Sequence, residues 1–161
     1  ADLFLLDDGA GGTLRKSAAS RIATYIGDNT PMVFAHPSTS QAISTATETD
    51  VTLGTEVFDT DGAFASSVFT VPSGKDGKYL VTGFVRNSNF DAARVFMYIM
   101  SGGGNYVFEQ GSGSVHNTVG GSILLDLAAA ETVHLRYYHN NGSTQSLTND
   151  GTWFSVMKMN G

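Results

Sequence analysis

The sequence predicts an all-β protein whose main domain is a sandwich or a barrel. From residue 32 onward, short runs with strand composition recur at close intervals, and each run ends in a Gly, Asn or Asp cluster. The dipeptides Asp61-Gly62 and Asn141-Gly142 are typical of β-hairpin turns. No apolar pattern of helical period follows residue 27 over a useful length, so alternating β and α units are not expected.

A short N-terminal segment, residues 1–30, is expected to precede the main domain, residues 31–161. The stretch 27–31 has the composition of a linker. The first residue is Ala, which fits either a removed initiator Met or a fragment of a longer chain. The apolar run 3–6 has no basic stretch before it, so a signal peptide is not expected.

Within the N-terminal segment we expect a hairpin followed by a short helix. Residues 3–6 and 13–16 have strand composition, and a turn rich in Asp and Gly separates them. Ser17 is a candidate N-cap for a helix of one or two turns that reaches Tyr25. A helix this short is not stable alone and needs a partner surface.

The main domain is expected to contain nine strands joined by short turns. The stretch 38–49 is rich in Ser and Thr, has little to pack, and is expected to be an extended or loop connection. The predicted strands cover residues 32–35, 51–58, 63–71, 78–86, 94–100, 105–109, 121–127, 132–138 and 153–159.

Two of these strands are apolar on both faces. Leu80 and Phe84 point to the side opposite the apolar Tyr79 and Val81, and residues 95–100 repeat this pattern. A two-layer sandwich buries one face of each sheet, so the second face needs another subunit or a long covering loop. We expect another subunit. The aromatic residues assigned to the core or to a subunit interface are Phe64, Tyr79, Phe84, Phe96, Tyr98 and Phe154.

The composition disfavours several classes of protein. Charged residues make up 15% of the chain, its net charge is −6, and its closest approach to a basic run is Arg15-Lys16. A nucleic-acid binder should carry a basic stripe, and binding to an anionic membrane surface is disfavoured for the same reason. The absence of Cys excludes disulfides, a thiolate zinc site and a Cys nucleophile. No stretch is long and apolar enough to span a membrane.

The first half of the main domain resembles C1q-like domains. In that family an Asn or Asp precedes an aromatic residue by five positions, and a Phe and a Gly-x-Tyr-x-Phe motif follow. Asp59 and Phe64 fit this spacing, and Phe69, Gly77 and Tyr79 match in type and order. The gap from Phe69 to Gly77 is longer than usual, and a valine stands where the last Phe of the motif is typical.

The C-terminal half continues the resemblance. Residues 121–127 resemble the Ser-x-x-Leu-x-Leu strand of the family, and residues 131–135 its next strand without the usual Gly-Asp pair. Residues 154–156 resemble its final Phe-Ser-Gly strand, with Val in place of Gly. The resemblance implies a C1q/TNF-like jelly-roll β-sandwich of ten strands that forms compact trimers and binds through loops and edges.

Residues 2–9, followed by Arg15-Lys16 and the expected helix, resemble segments of bacteriophage tail fibre proteins. The two resemblances together imply a virion protein with a C1q-like head. Its partners would be further copies of itself, other fibre, baseplate or capsid proteins contacted through residues 1–26, and a host surface glycan or protein.

The residue spacing of this sequence gives little support to a catalytic or metal-binding site. The histidines His36, His116, His134 and His139 have no metal-ligand spacing, and no Gly-x-Ser-x-Gly or P-loop motif occurs. His134 alternates with Arg136 and Tyr138, which indicates a polar outer strand face. Asp59-x-Asp61-Gly62 resembles part of a calcium loop but lacks the third ligand and the distal Glu, so a hairpin turn is favoured. No cofactor is expected, although a calcium ion at a loop or on a trimer axis stays open.

Several predicted loops combine amides with aromatic side chains. Such sites recognise glycans through amide hydrogen bonds and an aromatic face, although each loop taken alone is equally well explained by turn chemistry. The candidate receptor-binding residues are Asn87, Asn89, Phe90, Asn105, Tyr106, Asn140 and Asn141.

Three functional hypotheses follow. The first is a non-enzymatic trimeric fibre or spike component that attaches a virion to the host cell by multivalent binding to a glycan or another receptor. The second is a structural capsid decoration or head-fibre protein without receptor binding. The third, a carbohydrate-active enzyme, needs a pair of acids in one cleft, and the scattered acids of this sequence offer no such pair.

Overall fold

The computed structural model of the chain describes residues 3–7, 14–18, 30–88, 94–102, 104–110 and 118–159. The chain divides into two compact units, Ala1–Thr30 and Pro31–Gly161. In the first unit, β1 (Leu3–Asp7) pairs antiparallel with β2 (Leu14–Ala18), which confirms the predicted hairpin.

The helix predicted to begin at Ser17 is wrong at its start. Ser17 lies in β2, where it is the register partner of Phe4, so its backbone belongs to a strand ladder instead of a helix cap. The remainder of the predicted helix, residues 19–25, lies outside the described residues.

The described part of the second unit is built from antiparallel strands. A five-stranded sheet, here called sheet I, has the order β12-β9-β15-β3-β6. Sheet II has the order β11-β10-β13-β8-β7, with β5 paired to β13, and β4 and β14 form a separate two-stranded ribbon. The strands are β3 (Met32–His36), β4 (Gln41–Ile43), β5 (Thr49–Asp50), β6 (Thr55–Asp59), β7 (Phe64–Ala65), β8 (Val68–Thr70), β9 (Gly77–Arg86), β10 (Val95–Ser101), β11 (Gly104–Gln110), β12 (Thr118–Leu127), β13 (Thr132–His139), β14 (Gln145–Leu147) and β15 (Trp153–Lys158).

The core lies between sheets I and II because alternate residues of their central strands point inward. Tyr79 and Val81 of β9 are fully buried, as are Met97 and Ile99 of β10 and Leu135 of β13. Each such side chain contributes about 1.5–3 kcal/mol of hydrophobic stabilisation relative to exposure. The opposite faces of the same strands are only partly buried, so the sandwich has one core and two outward faces.

Two glycines let side chains of sheet II approach the backbone of sheet I. Gly83 of β9 and Gly121 of β12 are register partners. A Cβ atom on Gly83 would lie 2.5 Å from the Leu135 Cδ2 atom, and one on Gly121 would overlap the ring of Phe108. The core therefore fills the space that these two missing side chains leave.

The strand predictions are confirmed for the long apolar segments and fail inside two others. Residues 51–54 of the predicted strand 51–58 are not in a strand, because the chain leaves β5 there and enters β6. The predicted strand 63–71 breaks at Ser66 and Ser67, whose φ angles of 51° and 67° end β7 and begin a turn. Strand β4 lies inside the stretch 38–49 that was expected to be a connection, and β14 was not predicted.

Candidate functional site

The outward side of sheet I carries a continuous apolar surface, called the apolar face below. Four aromatic rings lie in one row across four neighbouring strands. The distance between ring centroids is 5.8 Å for Phe84 and Trp153, 6.0 Å for Trp153 and Phe34, and 6.1 Å for Phe34 and Phe58. Leu124 is 62% exposed and Phe58 is 47% exposed. The residues that define the apolar face are Phe34, Phe58, Phe84, Leu124, Trp153 and Met157.

The row of rings follows from strand order and register. Phe84 is the register partner of Trp153, and Phe34 that of Phe58, so the rings of neighbouring strands meet on one side of the sheet. At the centre of the same side, the hydroxyl groups of Thr82 and Ser122 are hydrogen-bonded at 2.8 Å. Ser155 of β15 is the register partner of Thr82 and lies on the same side. The face is therefore mostly apolar, with a band of hydroxyl groups across it.

The outward side of sheet II has a different chemistry and is called the aromatic face below. The Phe96 ring centroid lies 5.6 Å from that of Tyr138 and 6.2 Å from that of Tyr98. Two arginines flank the rings, and three carboxylates form ion pairs with these arginines. The residues that define the aromatic face are Glu48, Asp50, Arg94, Phe96, Tyr98, Glu109, Arg136 and Tyr138.

At one end of the aromatic face, Arg94 is held over the ring of Phe96. Its guanidinium carbon lies 4.9 Å from the ring centroid. The Nε and Nη2 atoms of Arg94 both donate to the Glu109 Oε1 atom, at 2.8 and 2.6 Å. The Arg94 backbone N–H donates to the side-chain oxygen of Asn140 at 2.9 Å. These bonds restrict the guanidinium to one position above the ring.

At the other end, Arg136 binds two carboxylates from the segment that precedes and forms β5. Its Nε atom donates to the Asp50 Oδ1 atom at 2.6 Å, and its Nη1 atom lies 3.5 Å from the Glu48 Oε2 atom. The bond to Asp50 raises the pKa of Arg136 above its usual value. Burial is the largest cause that raises the pKa of Tyr98. The Glu48 carboxylate, which hydrogen-bonds to the Tyr98 hydroxyl, raises this pKa further.

His134 continues this row of polar residues. Its Nε2 atom lies 3.5 Å from the Asp50 Oδ1 atom, while its Nδ1 atom is buried and has no hydrogen-bond partner in the described part of the chain. Together with Arg136 and Tyr138, it forms the polar outer strand face that the alternation of β13 indicates.

The predicted receptor-binding residues that the structure describes differ in their surroundings. Asn87 is 2% exposed, and its amide donates to the Tyr137 hydroxyl at 3.3 Å inside the core. We therefore withdraw Asn87 as a receptor contact, because a buried amide that serves the core is not available to a ligand. Asn89 and Phe90 lie outside the described residues.

The remaining loop candidates differ in environment. Asn105 is exposed on β11, whereas Tyr106 is half-buried and packs against the core. Asn140 is exposed and binds the backbone of Arg94. The side-chain nitrogen and oxygen of Asn141 are buried without a hydrogen-bond partner among the described residues.

The six aromatic residues assigned to the core or the trimer interface separate into three groups. Phe64, Tyr79 and Phe154 are buried in the core. Phe84 belongs to the apolar face of sheet I. Phe96 and Tyr98 belong to the aromatic face of sheet II, on the other side of the sandwich.

The motif Asp59-x-Asp61-Gly62 organises a turn. The Asp59 Oδ1 atom accepts the backbone N–H groups of Ala63 at 3.0 Å and of Asp61 at 3.3 Å, and its Oδ2 atom accepts that of Phe64 at 2.8 Å. Gly62 has a φ of 60°, as the turn requires. Both oxygens of Asp59 are occupied by backbone donors, so a turn accounts for the carboxylate. The predicted hairpin is wrong, however, because β6 pairs with β3 in sheet I and β7 pairs with β8 in sheet II. The hairpin predicted at Asn141-Gly142 is wrong for the same reason, since β13 belongs to sheet II and β14 pairs with β4.

The described parts of the chain offer few residues for metal binding or catalysis. No group of three or more His, Asp or Glu residues there is arranged to hold a metal ion. His139 is buried, with its Nε2 atom 3.1 Å from the Ile43 carbonyl oxygen and its Nδ1 atom accepting the Asn141 backbone N–H at 3.3 Å. His116 lies outside the described residues, and among those described no helix is long and apolar enough to cross a membrane.

Two open depressions lie near the end of the sandwich where β7, β8 and β12 terminate. One, of about 480 Å³, is lined by small residues and the single carboxylate of Asp61. The other, of about 470 Å³, contains Asp76 and Asp126, and the Asp126 carboxylate is 3.0 Å from the Lys78 ammonium.

Comparison with known proteins identifies the fold. No protein-family model and no curated protein matches the chain. Among solved structures, murine APRIL is 14% identical with a TM-score of 0.59, and covers 81% of this chain and 99% of its own. The globular domain of zebrafish complement 1qA is 15% identical with a TM-score of 0.55, over 81% of this chain and 96% of its own. The PRD1 vertex protein P5 is 18% identical with a TM-score of 0.60, over the same shares.

These similarities confirm the predicted fold class. The chain has an all-β jelly-roll fold of the C1q/TNF type, and at sequence identities of 14–18% the similarity is one of fold. The aromatic face was not predicted as a site. A signal was present in the alternation of His134, Arg136 and Tyr138, but Glu48 comes from a stretch that was expected to be a connection, and Asp50 belongs to no predicted strand.

Proposed function

We propose that this protein is a non-enzymatic homotrimeric component of a virion fibre or spike that attaches the virion to the host cell surface. The observation that carries the proposal is the apolar face. Four neighbouring aromatic rings and two further apolar side chains lie on the outward side of one sheet, where Phe58, Leu124 and Met157 are exposed. Apolar areas of this kind on soluble proteins mark interfaces.

A second copy of the chain is the partner that best fits this face. The six side chains that define the face are uncharged; four are aromatic and one is Met, which is the composition of interfaces between identical subunits. Covering a side chain such as Leu124 or Met157 removes apolar area from water at roughly 25 cal/mol per Å². The resemblance to C1q-like domains favours three copies arranged in a ring.

A virion location is supported by two likenesses. The fold resembles that of the PRD1 vertex protein P5, and the N-terminal segment resembles segments of bacteriophage tail fibre proteins. In this proposal residues 1–26 dock on other fibre, baseplate or capsid proteins, and the unit Pro31–Gly161 is the head that faces the host. Three copies of one weak site then bind a cell surface with high avidity.

A second candidate is a structural component of a capsid vertex without a receptor of its own. The observation that favours it is the same likeness to PRD1 vertex protein P5, whose name places that protein at a vertex. The two candidates share the trimer and differ in whether the head binds cells.

The experiment that tests attachment compares the intact protein with a variant of the apolar face. Leu124→Lys combined with Met157→Lys places two charges in the proposed interface and is expected to give single chains. The matched control is Thr132→Lys, because Thr132 is exposed on the other sheet and lies outside the aromatic face. Fluorescently labelled proteins are then incubated with a panel of bacterial cells.

The wild-type protein and the Thr132→Lys control are expected to bind at least one cell type. The double variant is expected to lose about tenfold or more in apparent affinity, because it loses avidity and not the site itself. Assembled protein that binds no cell type, but that is found in purified virions, would favour the vertex candidate. Equal binding by single chains would contradict the multivalent mechanism.

A further inference from the structure

We propose that the aromatic face of sheet II is the receptor-binding surface and that its ligand is a neutral polysaccharide built of pyranose rings. The inference rests on the proposed attachment function and names the site and the chemical class of its ligand. It replaces the predicted loop residues with residues that the fold brings together on one rigid sheet.

The position of the aromatic face leaves it accessible in an assembled trimer. Tyr98 alternates along β10 with Met97 and Ile99, which are fully buried in the core. The aromatic face therefore lies on the opposite side of the sandwich from the apolar face of sheet I. A partner subunit that covers the apolar face leaves the side of Tyr98 free.

The rings form a platform suited to the faces of sugar rings. The π-face of an aromatic ring is electron-rich, and the C–H groups on one side of a pyranose carry partial positive charge. The Phe96 ring lies between the other two, with its centroid 6.2 Å from that of Tyr98 and 5.6 Å from that of Tyr138. All three are on the paired strands β10 and β13, so the platform is held rigid before a ligand arrives.

Fixed polar groups border the platform on two sides. Arg94 is held by Glu109, and Arg136 by Asp50 and Glu48, at distances of 2.6–3.5 Å. A guanidinium has five N–H donors, which is more than either ion pair uses, and each carboxylate has several acceptor sites. Hydroxyl groups of a sugar both donate and accept, so they match such a mixed border of donors and acceptors.

The charge balance of the face selects a neutral ligand. Arg94 and Arg136 stand against the three carboxylates Glu48, Asp50 and Glu109, and the chain as a whole has a net charge of −6. An acidic polysaccharide would meet paired arginines and a surplus of negative charge. An apolar helical peptide would have to bury these ion pairs, and removing the charges from water costs free energy.

The test measures binding of the assembled wild-type protein to purified neutral and acidic bacterial polysaccharides, by calorimetry or by surface biosensing. Tyr98→Ser and Tyr138→Ser remove one ring each. Tyr138→Phe keeps the ring and removes the hydroxyl. Thr132→Ala is the matched control, since Thr132 is exposed on β13 and lies outside the aromatic face. The mass and the melting temperature of each variant establish that it is folded and assembled.

The expected result is binding to a neutral polysaccharide that falls about tenfold or more in each Ser variant and is nearly unchanged in Tyr138→Phe and Thr132→Ala. Folded, assembled Ser variants that bind as well as wild type would overturn the site. Binding to acidic polysaccharides alone would overturn the ligand class. If either Ser variant fails to fold, Arg136→Gln is used in its place and is held to the same expectation.

The same series separates this inference from the proposed function. Wild-type protein that binds host cells while the variants of the aromatic face also bind them would leave attachment standing and move the receptor site elsewhere. Wild-type protein that binds neither cells nor any polysaccharide would contradict attachment itself.

Discussion

The carboxylate of Asp59 accepts the backbone N–H of Phe64, five residues further along the chain, at 2.8 Å. The same carboxylate accepts the N–H groups of Ala63 and Asp61, so it closes the turn between β6 and β7. The closed turn delivers the Phe64 ring into the core, 6.1 Å from that of Phe154. The five-residue spacing that resembles C1q-like domains thus has a physical cause in this chain.

Replacing Asp59 should therefore destabilise the head. Asp59→Ala leaves three backbone donors without their acceptor, and we expect the free energy of unfolding to fall by about 1–3 kcal/mol. The measurement is urea denaturation followed by Trp153 fluorescence. Asp61→Ala is the control, since the Asp61 side chain accepts a bond from the exposed Thr60 hydroxyl. An Asp59 variant no less stable than the Asp61 variant would contradict this role.

Gly83 tests the packing between the two sheets. Gly83→Ala would place a Cβ atom 2.5 Å from Leu135 and 3.1 Å from the Met97 sulfur, both in the opposite sheet. We expect a loss of about 1–3 kcal/mol in the free energy of unfolding from overpacking. Gly104→Ala is the matched control, because its Cβ would meet nothing closer than 4.0 Å. Equal stability of the two variants in thermal melts would show that the core has spare room at Gly83.

The tyrosines of the core predict a loss of stability in alkali. Burial raises the pKa of Tyr137 from 10.0 to about 12, although the bond from Asn87 opposes this shift. Burial, helped by Asp61 and Asp76, raises the pKa of Tyr79 to about 12. Between pH 10 and 12 the unfolded chain releases these protons and the folded chain keeps them. The stabilisation that comes from keeping these two tyrosines protonated is therefore fully present below pH 10. The free energy of unfolding falls as the pH rises from 10 to 12.

Denaturation at a series of alkaline pH values measures this slope, and ultraviolet absorbance follows tyrosinate in the folded protein. Tyr79→Phe should flatten the slope because it removes one titrating group. Native protein in which every tyrosine ionises near pH 10 would contradict the burial of these two hydroxyls.

The N-terminal segment should serve docking and not folding of the head. Deleting residues 1–26 removes most of the first unit and leaves Pro31–Gly161, which forms its own compact unit. We expect the truncated protein to melt at the temperature of the full chain by circular dichroism and to be missing from purified virions by immunoblot. Truncated protein that still enters virions would assign docking to the head.

The sequence predicted those elements in which local pattern and tertiary environment agree. Residues 78–86 are apolar on both sides, and the structure places β9 between β12 and β15 in sheet I, with one side in the core and one in the apolar face. The exposed apolar rings follow directly from this pattern. Strands β4 and β14 were missed because each is three residues long, and a single apolar residue such as Ile43 gives no period to recognise.

The candidate site could not be predicted in full because its residues are distant in sequence. Asp50 and Arg136 are 86 positions apart and meet only because β5 pairs with β13. Asn87 has the composition of a loop residue, yet its bridge to Leu147 and its bond to Tyr137 draw it into the interior. Composition alone does not distinguish a buried amide of this kind from one that faces a receptor.

The measurement that tests the account most directly is the mass of the unmodified protein in solution, by light scattering after size exclusion, over a range of concentrations. A trimer closed through the apolar faces predicts about 51 kDa, three times the 17.0 kDa of the chain, with little change on dilution. A mass of 17.0 kDa at all concentrations would contradict it, since the apolar face of Phe34, Phe58, Phe84, Leu124, Trp153 and Met157 would then be exposed to water without a partner.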